Sequence, residues 1–199
     1  MPADTSRNIV LFASGSGSNV ENIADYFQDS GVRVRGVICN NFGAGVIERC
    51  RRLRIPVYCC NRAAFEEVSG LLALLASWQP DLLVLAGFLW KVPAGLIAAY
   101  PDRIINIHPA LLPKYGGKGM YGMRVHESVV AAGERESGIT IHYVNEAYDE
   151  GAVIFQARVA LAPADRPEEV ASKVHALEYE HYPKVIESLL GKLPHGHQE

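Results

Sequence analysis

The 199-residue chain has no block of like charge: 19 Lys and Arg stand against 22 Asp and Glu, a formal net charge of −3. A basic face for nucleic acid or anionic lipid is therefore not expected. There is no long apolar run near the start either. Residues 9–13 follow the polar MPADTSRN and are too few for a leader or a membrane span. Cysteine is scarce, and Cys39, Cys50, Cys59 and Cys60 all fall in the first third without zinc-type spacing. Two of them are adjacent, and neighbours rarely bond to each other. We read them as reduced thiols packed in the core of a cytoplasmic protein. No metal is expected. Internal repeats and linkers are absent, so one domain over residues 1–199 is expected.

What is present is a core-forming composition, 49% hydrophobic against 21% charged, in an alternating order. Residues 8–13 (NIVLFA), 33–39, 57–60, 81–86 (DLLVLA) and 104–107 read as buried parallel strands. Helical patterns separate them at 19–28, 44–53, 63–78 and 93–100. Val20, Ile23, Ala24 and Phe27 share one helix face, as do Val46, Ile47, Cys50 and Leu53. Strand and helix alternating in this way predict an α/β fold, a Rossmann-like, mostly parallel sheet with helices on both faces. After about residue 113 the pattern changes. A glycine-rich loop at 116–122 and a helix at 124–132 precede two alternating segments, 138–144 (GITIHYV) and 152–161, expected as antiparallel strands with one face in solvent. A long amphipathic helix over 167–190 carries Val170, Val174 and Leu177 on one stripe. Pro183 should kink or divide it, and the tail LPHGHQE should fray. The expected halves are about 8–110 for nucleotide phosphate and about 111–190 for the rest of the site.

Three stretches carry chemistry. ASGSGSN joins the first strand to the first helix, where backbone N–H groups freed of bulk by Gly15 and Gly17 can surround a phosphate. Ser16, Ser18 and Asn19 add neutral donors; the plainer alternative is a flexible turn with Asn19 as helix cap. No Gly-Lys-Ser/Thr follows, so this is not a Walker motif, and Val20 stands where a dinucleotide fingerprint needs a third glycine. In NIHPALLPKYGG, Asn106 and His108 alternate on one strand face, and Pro109 and Pro113 stiffen the exit. HYVNEAYDEG then supplies a polar loop with the acids Glu146, Asp149 and Glu150, any of which could orient His108 or carry a proton. No Gly-x-Ser-x-Gly elbow exists, which disfavours a covalent intermediate. An Asn donor, a His and a carboxylate fit direct acyl transfer, with the first two stabilising an oxyanion. A nearby carboxylate would make His108 a cation.

NIVLFASGSGSN, PDLLVLAGFLWKV, RIINIHPALLPKY, GITIHYVNEAYDEGAVIFQ and VHALEYEHYP, in that order, resemble the phosphoribosylglycinamide formyltransferase family of folate-dependent transferases. The resemblance implies transfer of the formyl group of 10-formyltetrahydrofolate to the amine of N1-(5-phosphoribosyl)glycinamide in purine synthesis. It implies two small-molecule substrates and a monomer or homodimer. It makes Asn106, His108 and Asp149 the catalytic trio. Gly15, Ser16, Gly17, Ser18 and Asn19 then hold the substrate phosphate and Glu178 the ribose hydroxyls. Leu89, Trp90, Lys91 and Val92 line the folate pocket, with Asn106 and the loop Asn145, Glu146, Ala147, Tyr148 and Asp149 on its other side. His126 receives no role, and Arg62 stands nearest the place, around Ala64, where the family offers an arginine to the folate tail.

Overall fold

Residue by residue, the first apolar run is buried on both faces from Ile9 to Ala13, as a central strand must be. The computed structural model describes residues 6–193, so the expected fraying beyond Leu193 lies outside the described residues. The strands are β1 (Arg7–Ala13), β2 (Val32–Cys39), β3 (Val57–Cys59), β4 (Leu82–Leu85), β5 (Ile104–His108), β6 (Glu136–Tyr143) and β7 (Val153–Ala160). They form one sheet in the order β3-β2-β1-β4-β5-β6-β7. All pairs are parallel except β5–β6 and β6–β7. The order reverses between β1 and β4, and the carboxyl ends of strands beside such a reversal are where open α/β sheets bind ligands.

Helices cover both faces. One core gathers Ile9, Leu11, Val84 and Ile105 under α1 (Ser18–Tyr26), α2 (Gly45–Leu53) and α7 (Pro167–Lys192). The other gathers Val10, Phe12, Leu83 and Leu85 under α3 (Arg62–Glu66), α4 (Ser69–Trp78) and α5 (Ala94–Ala99). α6 (Met123–Ala131) precedes β6. Each large apolar side chain buried in these layers contributes about 1.5–3 kcal/mol.

Three local expectations are corrected. The helical pattern over 63–78 is two helices, α3 and α4. At about 100° per residue, Phe65 and Leu71 would sit about 120° apart on one continuous helix. The break brings both into the same core, and Asn61 caps the first piece by accepting the Ala64 N–H at 2.9 Å. Pro183 does not divide α7, which is assigned as one helix of 26 residues. Proline cannot bond the carbonyl four residues back; that carbonyl, Tyr179 O, instead accepts the Asn22 amide of α1 at 3.1 Å. Tyr182, Pro183 and Ile186 are all buried there. Finally, β6 has no solvent face over residues 137–142. Ile139 and Ile141 enter the core, while Thr140 and His142 are buried on the opposite face beneath the loops of the site.

Candidate active site

A cavity of about 610 Å³ opens at the carboxyl ends of β1, β4 and β5, a volume suited to a cofactor-sized ligand. At one end lies the glycine turn. Gly17 caps α1 in the left-handed conformation, φ 77°, and a Cβ there would stand 2.5 Å from Val46 Cγ2. Gly15 has no such neighbour within 4 Å, so its open side faces the cavity. Asn19 lies inside α1 and not at its cap. Its Nδ2 donates to Glu178 Oε2 at 2.9 Å, which ties the turn to α7. Glu178 is buried, and burial pushes its carboxyl above the usual range despite the Asn19 bond and nearby His175.

The middle of the cavity holds the polar set. β5 puts Asn106 and His108 two residues apart on one face, and antiparallel pairing sets His142 opposite Asn106. His142 Nδ1 lies 2.9 Å from Tyr143 O. A carbonyl can only accept, so the neutral ring carries its proton on Nδ1 and turns a bare Nε2 to Asn106 Nδ2 at 3.2 Å. That contact leaves the second amide N–H of Asn106 for a ligand. By the same rule His108 carries a proton on Nε2, 2.7 Å from Tyr115 O. Its Nδ1 faces Asp149 Oδ2 at 3.6 Å.

Asp149 is reached by a loop after β6 whose backbone is left-handed at this residue, φ 57°. Its Oδ2 accepts the Gly117 N–H at 2.8 Å, and its Oδ1 lies 3.7 Å from His142 Nε2. Burial would raise its pKa, yet the two imidazoles and the Gly117 N–H hold it below the ordinary carboxylate value. Asp149 and the Tyr115 carbonyl both raise the pKa of His108, as expected of a nearby carboxylate, while burial lowers it by more.

At the other end stands an apolar wall. Leu89 is exposed; Trp90 is half-buried rather than exposed, packed on Phe65 and Phe88 with the Arg62 guanidinium 5.2 Å over its ring. The Lys91 ammonium lies 6.0 Å over the Tyr148 ring. Val92, Val144, Asn145 and Ala147 complete the lining. Glu146 is exposed and does not line it, because Asn145 Oδ1 accepts the Ala147 N–H at 2.9 Å in a tight local turn.

Sequence reasoning missed His142, Gly117 and His175 and gave His126 no role, yet all four line the cavity. The alternation of Thr140 with His142 could have shown the first, since antiparallel pairing with β5 places both beside Asn106 and His108. Nothing in the spacing points to the others. His126 is pushed down to about 4 by burial and by His175 and His108. It is therefore neutral, with a buried Nδ1 that has no hydrogen-bond partner among the described residues.

A glycine turn, an apolar wall and an amide–imidazole–carboxylate set between them thus line one cavity on an open α/β sheet. The model of the formyl transferase family matches residues 7–186, and the chain belongs to that family. Within it, the protein is 34% identical to the phosphoribosylglycinamide formyltransferase of Bacillus subtilis (strain 168), over 93% of this chain and 95% of that one. It is 40% identical to the chloroplastic phosphoribosylglycinamide formyltransferase of Arabidopsis thaliana, over 90% of this chain. There the match spans about 64% of the plant relative's length. The solved phosphoribosylglycinamide formyltransferase of Streptococcus pneumoniae TIGR4 superposes with a TM-score of 0.82 at 36% identity, covering 92% of this chain and 98% of that one. No helix among the described residues is long and apolar enough to cross a membrane.

Proposed function

We propose that this protein moves the formyl group of 10-formyltetrahydrofolate to the amine of N1-(5-phosphoribosyl)glycinamide. The products are formylglycinamide ribonucleotide and tetrahydrofolate, a step of de novo purine synthesis carried out in the cytoplasm by one formyltransferase domain. The observation that carries the reading is the position of Asn106, His108 and Asp149 between the 15–19 turn and the Leu89–Trp90 wall, all lining one cavity.

In this reading the 15–19 turn and the first amides of α1 hold the phosphate, and Glu178 with Asn19 holds the ribose hydroxyls. The apolar wall takes the pterin ring of the folate. The amine lone pair forms the new C–N bond at the formyl carbon, and the carbonyl oxygen becomes negative. Asn106 donates its free amide N–H to that oxygen, a contact typically worth about 100- to 1000-fold in rate. The proton the amine must lose goes to the Asp149 carboxylate, whose Oδ2 lies 3.6 Å from His108 Nδ1. It returns to the folate nitrogen as the old C–N bond breaks. Formyl transfer assayed by folate absorbance, with glycinamide ribonucleotide set against other amine acceptors, tests the reading. Equal turnover with an unphosphorylated acceptor would remove it.

Two results follow. Gly15→Val adds bulk on the open side of the turn, and KM for the nucleotide should rise about tenfold, roughly 1.4 kcal/mol, in a normally folded protein. Gly17→Val is not an equivalent probe, since its Cβ collides with Val46. The second concerns pH. A lowered pKa moves the titration of His108 down from its ordinary value, so most of it lies below pH 6.5 and little falls between pH 6.5 and 8. The profile of kcat/KM, which reports the free enzyme, should show no fall over that range. A decline as pH rises through it would mean that a cationic His108 is the active form.

A further inference from the structure

The glycine turn offers a phosphate only uncharged donors. Residues 15–19 line the cavity with backbone N–H groups, two hydroxyls and one amide, whereas a phosphate monoester carries about −1.5 to −2 charge near pH 7. Arg49, the arginine bonded to the turn, is already engaged. Its Nε donates to Ser16 O at 2.8 Å and its guanidinium pairs with Glu21, and it does not line the cavity. Two lysines and no arginine line it. Lys91 belongs to the apolar wall, over the Tyr148 ring. Lys118 is exposed, and among the described residues no hydrogen bond, ion pair or ring contact engages its ammonium.

The backbone under Lys118 is built rather than loose. The Gly117 N–H is tied to Asp149 Oδ2, and the Met120 N–H returns to Gly117 O at 3.1 Å. This closes a four-residue turn with Lys118 second and Gly119 third. The third residue of a type II turn needs a positive φ, and Gly119 has 91°. From there Met120, Tyr121 and Met123 follow the lining to α6, where the His126 ring centroid lies 6.5 Å from that of His175 on α7. The stretch thus runs from Asp149 toward the helix that carries Glu178, along the nucleotide half of the cavity. Tyr148, with Lys91, faces the other half.

We infer that Lys118 is a specificity-determining residue whose ammonium supplies the charge the glycine turn lacks and binds the phosphate of the acceptor substrate. A lysine suits the task, since it meets phosphate as a point charge on a flexible four-carbon stem. The turn orients the ester, and Lys118 favours acceptors that carry it. The inference rests on the phosphorylated acceptor of the proposed function.

Calorimetric titration with N1-(5-phosphoribosyl)glycinamide and with its dephosphorylated riboside tests it. Lys118→Gln should weaken binding of the phosphate ester about tenfold, as loss of a hydrogen bond between charged groups does, and leave the riboside within about twofold. Lys118→Arg should keep most of the ester affinity. Added salt should weaken ester binding more in the wild type than in Lys118→Gln, because exposed charges are screened. Arg124→Gln removes a charge close in sequence that lies over Tyr121 and outside the lining; it should leave both affinities unchanged. Wild-type ester affinity in Lys118→Gln overturns the inference, and so does an equal loss for ester and riboside. Weaker binding of a polyglutamylated folate with the ester unaffected would place Lys118 on the folate tail and overturn it as well. In all three cases a wild type that prefers the ester leaves the proposed function standing. A wild type that binds the ester no tighter than the riboside would count against the proposed function, and the inference would fall with it.

Discussion

Asp149→Asn lowers kcat by about 100-fold or more while KM for the nucleotide changes little. Asparagine is the right replacement because it tolerates the left-handed backbone found here. Its side-chain oxygen can still accept the Gly117 N–H. What is lost is the negative charge beside His108 Nδ1, and with it the means of taking the amine proton. Asn106→Ala should cost a similar factor by removing the donor to the developing oxyanion. It also leaves the bare Nε2 of His142 without its partner. The proposed mechanism has both groups serve one reacting centre, so the double variant should lose much less than the product of the single losses. Fully multiplicative losses in steady-state kinetics would show that they act independently, and near-normal turnover in either single variant would remove that residue from the chemistry.

Gly151→Ala should be nearly as damaging although residue 151 does not line the cavity. A Cβ at this position would stand 1.6 Å from Tyr143 O, and no rotamer relieves it, because backbone geometry places Cβ. That carbonyl also receives His142 Nδ1, so the push reaches His142 and Asn106 on one side and Asp149, two residues back, on the other. Displacement of about 1 Å at such a site can cost about 100-fold, and overpacking costs about 1–3 kcal/mol of stability. The expected result is a lower melting temperature together with a collapse of kcat. Glu150→Ala, at an exposed neighbour, should leave both unchanged. A Gly151→Ala protein with wild-type kcat would mean that the loop holds Asp149 by other contacts.

The parts of this molecule that were legible in the sequence are those set by local pattern. β1 and β4 are unbroken apolar runs, and the glycine turn follows directly from the first of them. Asn106 and His108 could be placed together because strand side chains alternate. Asp149 could not be selected from its loop by spacing, since three acids lie there and a left-handed residue decides which one turns inward; resemblance supplied it. His142 was lost to a reasonable error. Alternation along β6 looks the same whether the second face meets water or the floor of a site, and only tertiary covering distinguishes them. The burial of His108 was hidden for a related reason: a neighbouring carboxylate is visible in a sequence, whereas the depth of burial that opposes its effect is not. Pro183 shows the same limit, because the bond from Asn22 that replaces its missing donor comes from a helix more than 150 residues earlier.

The Asn19–Glu178 bond joins residues 159 positions apart, and that separation bears on how the protein is made. Everything needed for the glycine turn leaves the ribosome early, and β1 acquires its neighbours β2 and β4 soon after. Yet Glu178, the carboxylate proposed for the ribose hydroxyls, sits on α7. A nascent chain that has emerged only as far as β7 would possess the sheet with Asn106, His108 and Asp149, but only half of the proposed nucleotide pocket. Substrate can stabilise the fold by mass action only once α7 has docked. Pairing the first turn with α7 therefore postpones ligand-assisted folding until α7 has been made.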